Sequence, residues 1–91
     1  MKKAIRLYIS GNVQGVTFRA SIEERAKKLD LKGYVRNLED GRVEIFAEGD
    51  VDRVDEIIKF CRRGPSFASV RNIEIKEEKL QGMKDFKILH F

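Results

Sequence analysis

Residues 11–19 combine features that could bind a phosphate group. They read G-N-V-Q-G-V-T-F-R, with Gly11 and Gly15 four positions apart and Arg19 at the end. Glycine permits backbone angles that other residues resist, and it lets an anion approach successive main-chain N–H groups. The planar guanidinium of an arginine can contact the same anion through two parallel hydrogen bonds. The segment therefore predicts an anion-binding loop with Arg19 beside it.

Taken alone, this loop is a weak indication, because ordinary turns also contain two glycines. It lacks the Gly-Lys-Ser/Thr ending of a Walker A loop and the third glycine of a dinucleotide fingerprint, so neither nucleotide site is indicated. Arg19 also has an ordinary alternative, which is a surface ion pair with Glu23 four residues later. The pattern leaves both interpretations of Arg19 open.

The elements around these residues can be predicted from hydrophobic periodicity. Apolar and polar residues alternate in the strand segments, whereas apolar residues recur at helical spacing after Gly15 and after Asp50. The predicted strands are Ala4–Ser10, Gly33–Leu38, Arg42–Glu48, one that contains Val70 to Ile75, and a short fifth one, Phe86–Phe91. The predicted helices are Thr17–Asp30 and a second helix between Asp50 and Gly64.

Several residues mark the ends of these elements. Thr17 is the predicted N-cap of the first helix, because its hydroxyl can accept a hydrogen bond from an N–H of the first turn. Glu39-Asp40-Gly41 predicts a tight hairpin between the second and third strands. Gly64-Pro65 predicts the end of the second helix, since proline cannot continue it. Asn37 precedes the hairpin, a position that asparagine also favours for purely structural reasons.

The order β-α-β-β-α-β, with the short fifth strand after it, is the split β-α-β pattern. It predicts an α+β, ferredoxin-like sandwich in which two helices cover one face of an antiparallel sheet. A chain of 91 residues is expected to form a single domain over residues 1–91, with a thin core. This fold carries many unrelated functions, so it does not decide the activity.

Composition excludes some classes of site and leaves others open. The net charge of +4 favours anionic ligands without naming one, and charged residues make up 37% of the chain, as in many heat-adapted proteins. The single Cys61 excludes an internal disulfide and is expected to be a core residue, while the single His90 is expected to be inert. We expect no metal site, no membrane-spanning segment and a cytoplasmic location.

Three segments resemble those of the acylphosphatase family. They are V-Q-G-V-T-F-R from Val13 to Arg19, G-Y-V-R-N-L-E-D-G from Gly33 to Gly41, and C-R-R-G-P from Cys61 to Pro65. They occur in the order and spacing of the family. The resemblance implies a ferredoxin-like fold, which agrees with the periodicity. Thr17 and Leu38 depart from the residues that are common at those two positions of the family.

The resemblance also implies a site and an activity. Arg19 matches the phosphate-binding arginine and Asn37 the asparagine that orients the attacking water, so both are predicted to be catalytic. The main chain of the loop is predicted to bind the substrate phosphate, through Gly11, Val13, Gln14, Gly15 and Val16. The implied reaction is hydrolysis of an acyl phosphate to a carboxylate and inorganic phosphate, by in-line attack of water without metal or cofactor.

The implied partners are small molecules, namely an acyl phosphate as substrate and inorganic phosphate as product and inhibitor. We expect no nucleic acid and no membrane as partners, and a monomer or weak dimer. Two alternatives stay open. One is an RNA-binding module of the same fold, with Tyr8, Tyr34 and Phe46 as a partial stacking platform. The other is a regulatory module without catalysis, which would keep the anion loop and would not need Asn37.

Overall fold

A computed structural model of the chain describes residues 1–13, 15–64 and 68–90. The described residues form five strands and two helices. The strands are β1 (Lys2–Asn12), β2 (Lys32–Asn37), β3 (Val43–Asp50), β4 (Ser69–Glu78) and β5 (Phe86–Leu89), and the helices are α1 (Val16–Lys28) and α2 (Val51–Arg63). Each predicted element is present, and the predicted ferredoxin-like α+β fold is confirmed.

The strands form one sheet in the order β4-β1-β3-β2-β5. Strand β1 pairs antiparallel with β3 and β4, and β2 pairs antiparallel with β3 across the predicted hairpin. Strand β5 departs from the predicted antiparallel sheet, because it runs parallel to β2 with Gly33 opposite Phe86. Strands β3 and β4 both run opposite to β1, and β2 runs opposite to β3, so β2 and β4 point in opposite directions. Because the chain turns back after β4, β5 points the same way as β2.

The core lies between the sheet and the two helices. Ile5, Leu7 and Ile9 of β1 are at most 2% exposed, which confirms the alternation that predicted this strand. From the helices and the other strands, the core takes Phe18, Ile22, Ala26, Val35, Val43, Ile45, Ala47, Val54, Ile57, Phe60, Cys61 and Phe86. The helices therefore cover one face of the sheet, which has solvent and polar side chains on its other face.

That second face is more buried than alternation predicts. Strand β3 lies in the middle of the sheet, and its residues from Val43 to Gly49 are all buried. Phe46 on this face is fully buried under Tyr34, whose ring stacks on it at a centroid distance of 6.0 Å, and under the guanidinium of Arg6. Glu44 and Glu48 are buried there as well, at 3% and 5% exposure.

The ends of the helices agree with the sequence prediction only in part. Helix α1 begins at Val16 with Gly15 as its N-cap, and no side chain caps it, so the prediction of Thr17 as N-cap is wrong. Thr17 already lies inside the first turn, two residues after the capping position. Helix α2 ends as predicted at Gly64, whose φ of 73° is a left-handed conformation that suits glycine. Pro65 lies outside the described residues.

Two connections between strands are fixed by hydrogen bonds, namely the one between β2 and β3 and the one between β4 and β5. The predicted hairpin after Asn37 is confirmed, because the N–H of Leu38 donates to Arg42 O at 2.8 Å. Between β4 and β5 the chain crosses to the other edge of the sheet, and the Glu48 carboxylate accepts N–H groups of Gln81 and Met83 from this crossing segment. In the part of the chain that the structure describes, no helix has the length and apolar character needed to cross a membrane.

Candidate active site

The register of three strands places Asn37 on the helix-facing surface, at the edge of this surface where β1 and β2 both end. Ile9 of β1 lies opposite Val43 of β3, and Val43 lies opposite Asn37 of β2. Ile9 and Val43 both belong to the helix-facing core. Residues directly opposite each other in a sheet project from the same face, so Asn37 also projects toward the helices. At this edge β1 leads into the predicted anion loop and α1.

Strand β5 brings a third element to the same edge. It pairs with β2 in parallel, and the last pair is Arg36 with Leu89, so His90 lies beside Asn37. Phe86 and Ile88 of this strand contact the core, and alternation places His90 on that same helix-facing side. The His90 ring lies against α1, where its Nδ1 is 3.4 Å from Nη1 of Arg19. Arg19 and Asn37 therefore lie at the same edge and on the same face of the sheet.

Arg19 is a buried cation, with 8% of its surface exposed. Its Nε donates to the carbonyl oxygen of Gly15 at 3.4 Å, so the guanidinium folds back toward the predicted loop. The alternative ion pair with Glu23 does not form, because Glu23 pairs with Lys27 at 3.4 Å. Arg19 has no carboxylate partner among the described residues. A buried charge without a counter-ion favours the binding of an anion beside it.

Asn37 is also incompletely partnered. Its side-chain oxygen Oδ1 is buried and has no hydrogen-bond partner among the described residues. A buried acceptor that stays unsatisfied costs about 1–3 kcal/mol, and such groups are rare in folded proteins. The oxygen is therefore available to accept a hydrogen bond from a small molecule, and water is the smallest that can donate one.

The amino-terminal end of α1 adds further groups that attract anions. No side chain of a described residue caps the main-chain N–H groups of the first turn, and the turn contains no acidic residue. The helix dipole makes this end partly positive. A Cβ added to Gly15 would meet nothing within 4 Å, so the space in front of the helix is open. The arrangement suits a phosphate group approaching the loop.

The other predicted loop residues differ in what the structure says of them. Gly11 belongs to β1 and pairs with Val70, and a Cβ there would collide with the carbonyl oxygen of Ser69. Close packing of β4 therefore explains this glycine without any ligand. Val13 is buried, at 1% exposure, and contributes its side chain to the core. Gln14 lies outside the described residues, and Val16 is described only as the first residue of α1.

Other residues that could do chemistry lie elsewhere or are engaged. Cys61 is fully buried, and burial raises the pKa of its thiol to about 12, which keeps it protonated and unreactive at neutral pH. This confirms it as a core residue. Among the described residues, no group of three or more His, Cys, Asp or Glu side chains could hold a metal ion. Phe46 is fully buried, so this residue of the predicted stacking platform is not accessible to RNA bases.

A cleft of about 180 Å³ lies at the opposite end of β1 from Arg19 and Asn37. It is lined by Lys2, Asp30, Lys32, Glu48, Gly49, Leu80, Gly82 and Met83. Lys32 is already paired with Asp30 at 3.1 Å, and Glu48 is engaged with the crossing segment. Since Lys32 and Glu48 are already partnered, this cleft is a weaker candidate than the edge that contains Arg19.

The sequence prediction missed the position of His90. It was expected to be inert, whereas the structure places its ring against Arg19. The only signal in the sequence was the short strand before it, and its position depends on the direction of β5. The buried Glu44 was missed as well, because polar residues at alternate strand positions are normally read as exposed.

Comparison with known proteins agrees with this geometry. A family model described as acylphosphatase matches residues 5–88. An acylphosphatase of Rubrobacter xylanophilus is 50% identical over 80 residues, which are 88% of this chain and 73% of that protein. An acylphosphatase of Methylococcus capsulatus is 44% identical over 88 residues, which are 96% of either chain.

Solved structures show the same similarity in three dimensions. The crystal structure of an acylphosphatase from Bacillus subtilis matches with a TM-score of 0.92 and 36% identity, over 99% of this chain and 100% of that one. Full-length HypF, in a phosphate- and nucleotide-bound form, matches with a TM-score of 0.87 and 30% identity. That match covers 99% of this chain and 12% of HypF, so the same fold also forms part of a much longer protein.

Proposed function

Since the chain belongs to the acylphosphatase family, we propose that Arg19 and Asn37 form the active site with which it hydrolyses acyl phosphates. The activity that the family establishes is cleavage of the carboxyl–phosphate bond to a carboxylate and inorganic phosphate. The observation that supports the site is that a buried cation and a buried carboxamide oxygen lie at one edge of the sheet, where the described residues give the cation no counter-ion and the oxygen no hydrogen-bond donor.

Arg19 binds the phosphate in this proposal. Its guanidinium and the free N–H groups at the start of α1 donate to the phosphate oxygens, which carry the negative charge. Phosphoryl transfer depends mostly on positioning and on stabilising charge at the equatorial oxygens. A guanidinium and a ring of main-chain donors can meet both needs, so the proposed reaction uses no metal.

Asn37 positions the attacking water. Its Oδ1 accepts a hydrogen bond from the water, whose lone pair then points at phosphorus in line with the acyl oxygen. The new P–O bond forms as the bond from phosphorus to the acyl oxygen breaks, and both electrons of that bond leave with the carboxylate. The water loses one proton to the medium or to the product phosphate. Holding the water in this geometry removes part of the entropic barrier.

The finer features predicted from the sequence are part of the proposal. Inorganic phosphate, as product, should bind at Arg19 and inhibit competitively. A single domain over residues 1–91, a monomeric or weakly dimeric state and a cytoplasmic location stay predictions. The RNA-binding alternative is disfavoured by the burial of Phe46. A regulatory module without catalysis would bind phosphate without turnover, so an activity assay separates it from the proposal.

An assay with benzoyl phosphate in 18O-labelled water, with excess chelator, tests the proposal. We expect turnover to persist in the chelator and the label to enter inorganic phosphate and not benzoate, because water attacks phosphorus. Loss of activity in the chelator would contradict the reaction without metal. Label in benzoate would contradict attack at phosphorus, and binding without turnover would favour the regulatory module.

A further inference from the structure

Among the described residues, Arg19 contacts two partners from two directions, and one of them is His90. We propose that His90 is a positioning residue, whose Nδ1 accepts a hydrogen bond from Nη1 of Arg19 and fixes the guanidinium at the phosphate site. The inference rests on the proposed function, because it assumes that Arg19 binds the substrate phosphate. His90 itself touches neither the phosphate nor the water in this arrangement.

The geometry around the guanidinium supports this role. Nε of Arg19 donates to Gly15 O at 3.4 Å, and Nη1 lies 3.4 Å from His90 Nδ1. One contact comes from the residue before the helix and the other from the end of β5. Two contacts to separate elements restrict rotation about the long side chain. Of the five N–H donors of an arginine, three remain free for phosphate oxygens.

The contact requires one form of the imidazole ring. Nδ1 can accept from Arg19 only when the ring is neutral and its proton is on Nε2. The position of the ring is determined by the parallel pairing of β5 with β2, which ends at Arg36 and Leu89 immediately before it. The parallel strand therefore brings to the site a residue that is 71 positions from Arg19 in the chain.

The expected consequence is on phosphate binding more than on the chemical step. Without His90, the guanidinium can leave the site, and binding must then restrict a more mobile side chain. Immobilising a flexible side chain costs about 0.5–1.5 kcal/mol, which corresponds to a change in affinity of up to about tenfold. Once phosphate is bound, Arg19 makes the same contacts to it, so kcat should change little.

Two substitutions at position 90 separate positioning from general structure. His90→Ala removes the acceptor. His90→Asn keeps one, since its Oδ1 is attached at the same distance from the backbone as Nδ1. The ring of His90 is exposed, so neither variant removes a core contact. Lys87→Ala is the matched control, because Lys87 is an exposed residue of the same strand that faces away from the helices.

The experiment measures KM and kcat for benzoyl phosphate, and the inhibition constant of inorganic phosphate, in all variants. We expect His90→Ala to raise KM and the inhibition constant about five- to tenfold with kcat within threefold. His90→Asn and Lys87→Ala should stay within twofold of the unmodified protein. The inference is overturned if His90→Ala leaves both constants unchanged, or if His90→Asn is impaired as much as His90→Ala. Arg19→Ala is included, because full activity in that variant would instead overturn the proposed function.

Discussion

Two side chains of this molecule, Glu44 and Asn37, carry buried oxygen atoms and differ in how completely those atoms are partnered. Glu44 lies in the middle of the sheet face that points away from the helices, and both of its carboxylate oxygens accept hydrogen bonds. Asn37 lies at the edge of the helix-facing surface, and its Oδ1 accepts none from the described residues. The oxygens of both groups lost contact with bulk water on folding. In Glu44, hydrogen bonds from protein groups replace the lost water, whereas in Asn37 no described residue does so.

Glu44 and three residues that donate hydrogen bonds to it form what we call the Glu44 cluster: Arg6, Tyr34, Arg36 and Glu44. Arg36 Nε donates to Oε1 at 2.6 Å, Arg6 Nη1 donates to Oε2 at 3.1 Å, and the Tyr34 hydroxyl donates to Oε1 at 3.3 Å. Burial alone would raise the pKa of Glu44, but the hydrogen bonds from Arg36 and Arg6 outweigh it and keep the pKa below its usual value. The cluster is complete without a ligand.

Arg19 and Asn37 show the opposite pattern. Within the described part of the chain, Arg19 makes two long contacts of 3.4 Å, to Gly15 O and to His90 Nδ1, and Oδ1 of Asn37 has no hydrogen-bond partner. The Glu44 carboxylate has hydrogen-bond partners for both of its oxygens, and similar partners for Arg19 and Asn37 would make the protein more stable. We infer that buried polar groups with a full set of hydrogen-bond partners stabilise the fold, whereas those that lack partners bind substrate and water. Substitutions on both sides can test this division.

The largest effect is expected at Arg19. Arg19→Ala should lower kcat/KM for benzoyl phosphate about 10³-fold or more, because the charge that stabilises the phosphate oxygens is lost. Its stability in urea should change little, since Arg19 has no ion pair among the described residues. Arg25→Ala is the matched control from the same helix. Arg25 stacks on the Phe60 ring at 4.4 Å, so this variant should lose some stability and keep full activity.

The next largest effect is expected at Glu44, and it concerns the free energy of unfolding instead of the activity. Glu44→Gln should lower the free energy of unfolding by about 3 kcal/mol, because Arg6 and Arg36 lose a buried counter-charge. Activity measured well below the unfolding midpoint should stay within about threefold. Urea unfolding of the two proteins gives the first number. A Glu44→Gln variant that is stable and inactive would break the proposed division.

Asn37 should show a smaller loss of activity and no loss of stability. Asn37→Ala should lower kcat about 10²-fold with little change in the inhibition constant of phosphate, because water positioning is lost and phosphate binding is kept. Its free energy of unfolding should be unchanged or slightly higher, since a buried unsatisfied oxygen is removed. Asn72→Ala, in an exposed position of β4, is the control and should match the unmodified protein.

The smallest effect concerns acid stability. The pKa of Glu44 is lower in the folded protein than its ordinary value of 4.5, so the folded state binds its proton less readily than the unfolded chain does. The stabilising contribution is therefore complete above pH 4.5 and is lost as the pH falls through the lower folded value. Thermal unfolding from pH 7 to pH 3 should show a shallower decline for Glu44→Gln than for the unmodified protein. Parallel curves would contradict this.

Local patterns in the sequence predicted most of the fold. The alternation of Ile5, Leu7 and Ile9 and the stop at Gly64 depend only on neighbouring residues, and the structure confirms them. The N-cap at Thr17 was wrong, because α1 already begins at Val16 and its N-cap, Gly15, lies two residues before the predicted one. The direction of β5 depends on the order of strands in the sheet, which no local pattern contains.

The candidate site was predicted less evenly. Arg19 and Asn37 were identified from two separated segments and a family resemblance, and the structure places them at one edge. Their partners could not be identified in the same way, because the contact of Arg19 with His90 joins residues 71 positions apart. The Glu44 cluster was invisible for the same reason: its members come from β1, β2 and β3, and only the strand register brings them together.

The most direct test of the account is a titration of the 15N-labelled protein with inorganic phosphate, followed by NMR. We expect the signals of the Arg19 Nε–H, the Asn37 side-chain NH2 and the main-chain N–H groups at the start of α1 to shift together with one dissociation constant. The Arg19→Ala variant should lose these shifts. Shifts confined to the cleft lined by Lys2 and Lys32 at the opposite end of the sheet, with Arg19 and Asn37 unchanged, would contradict it.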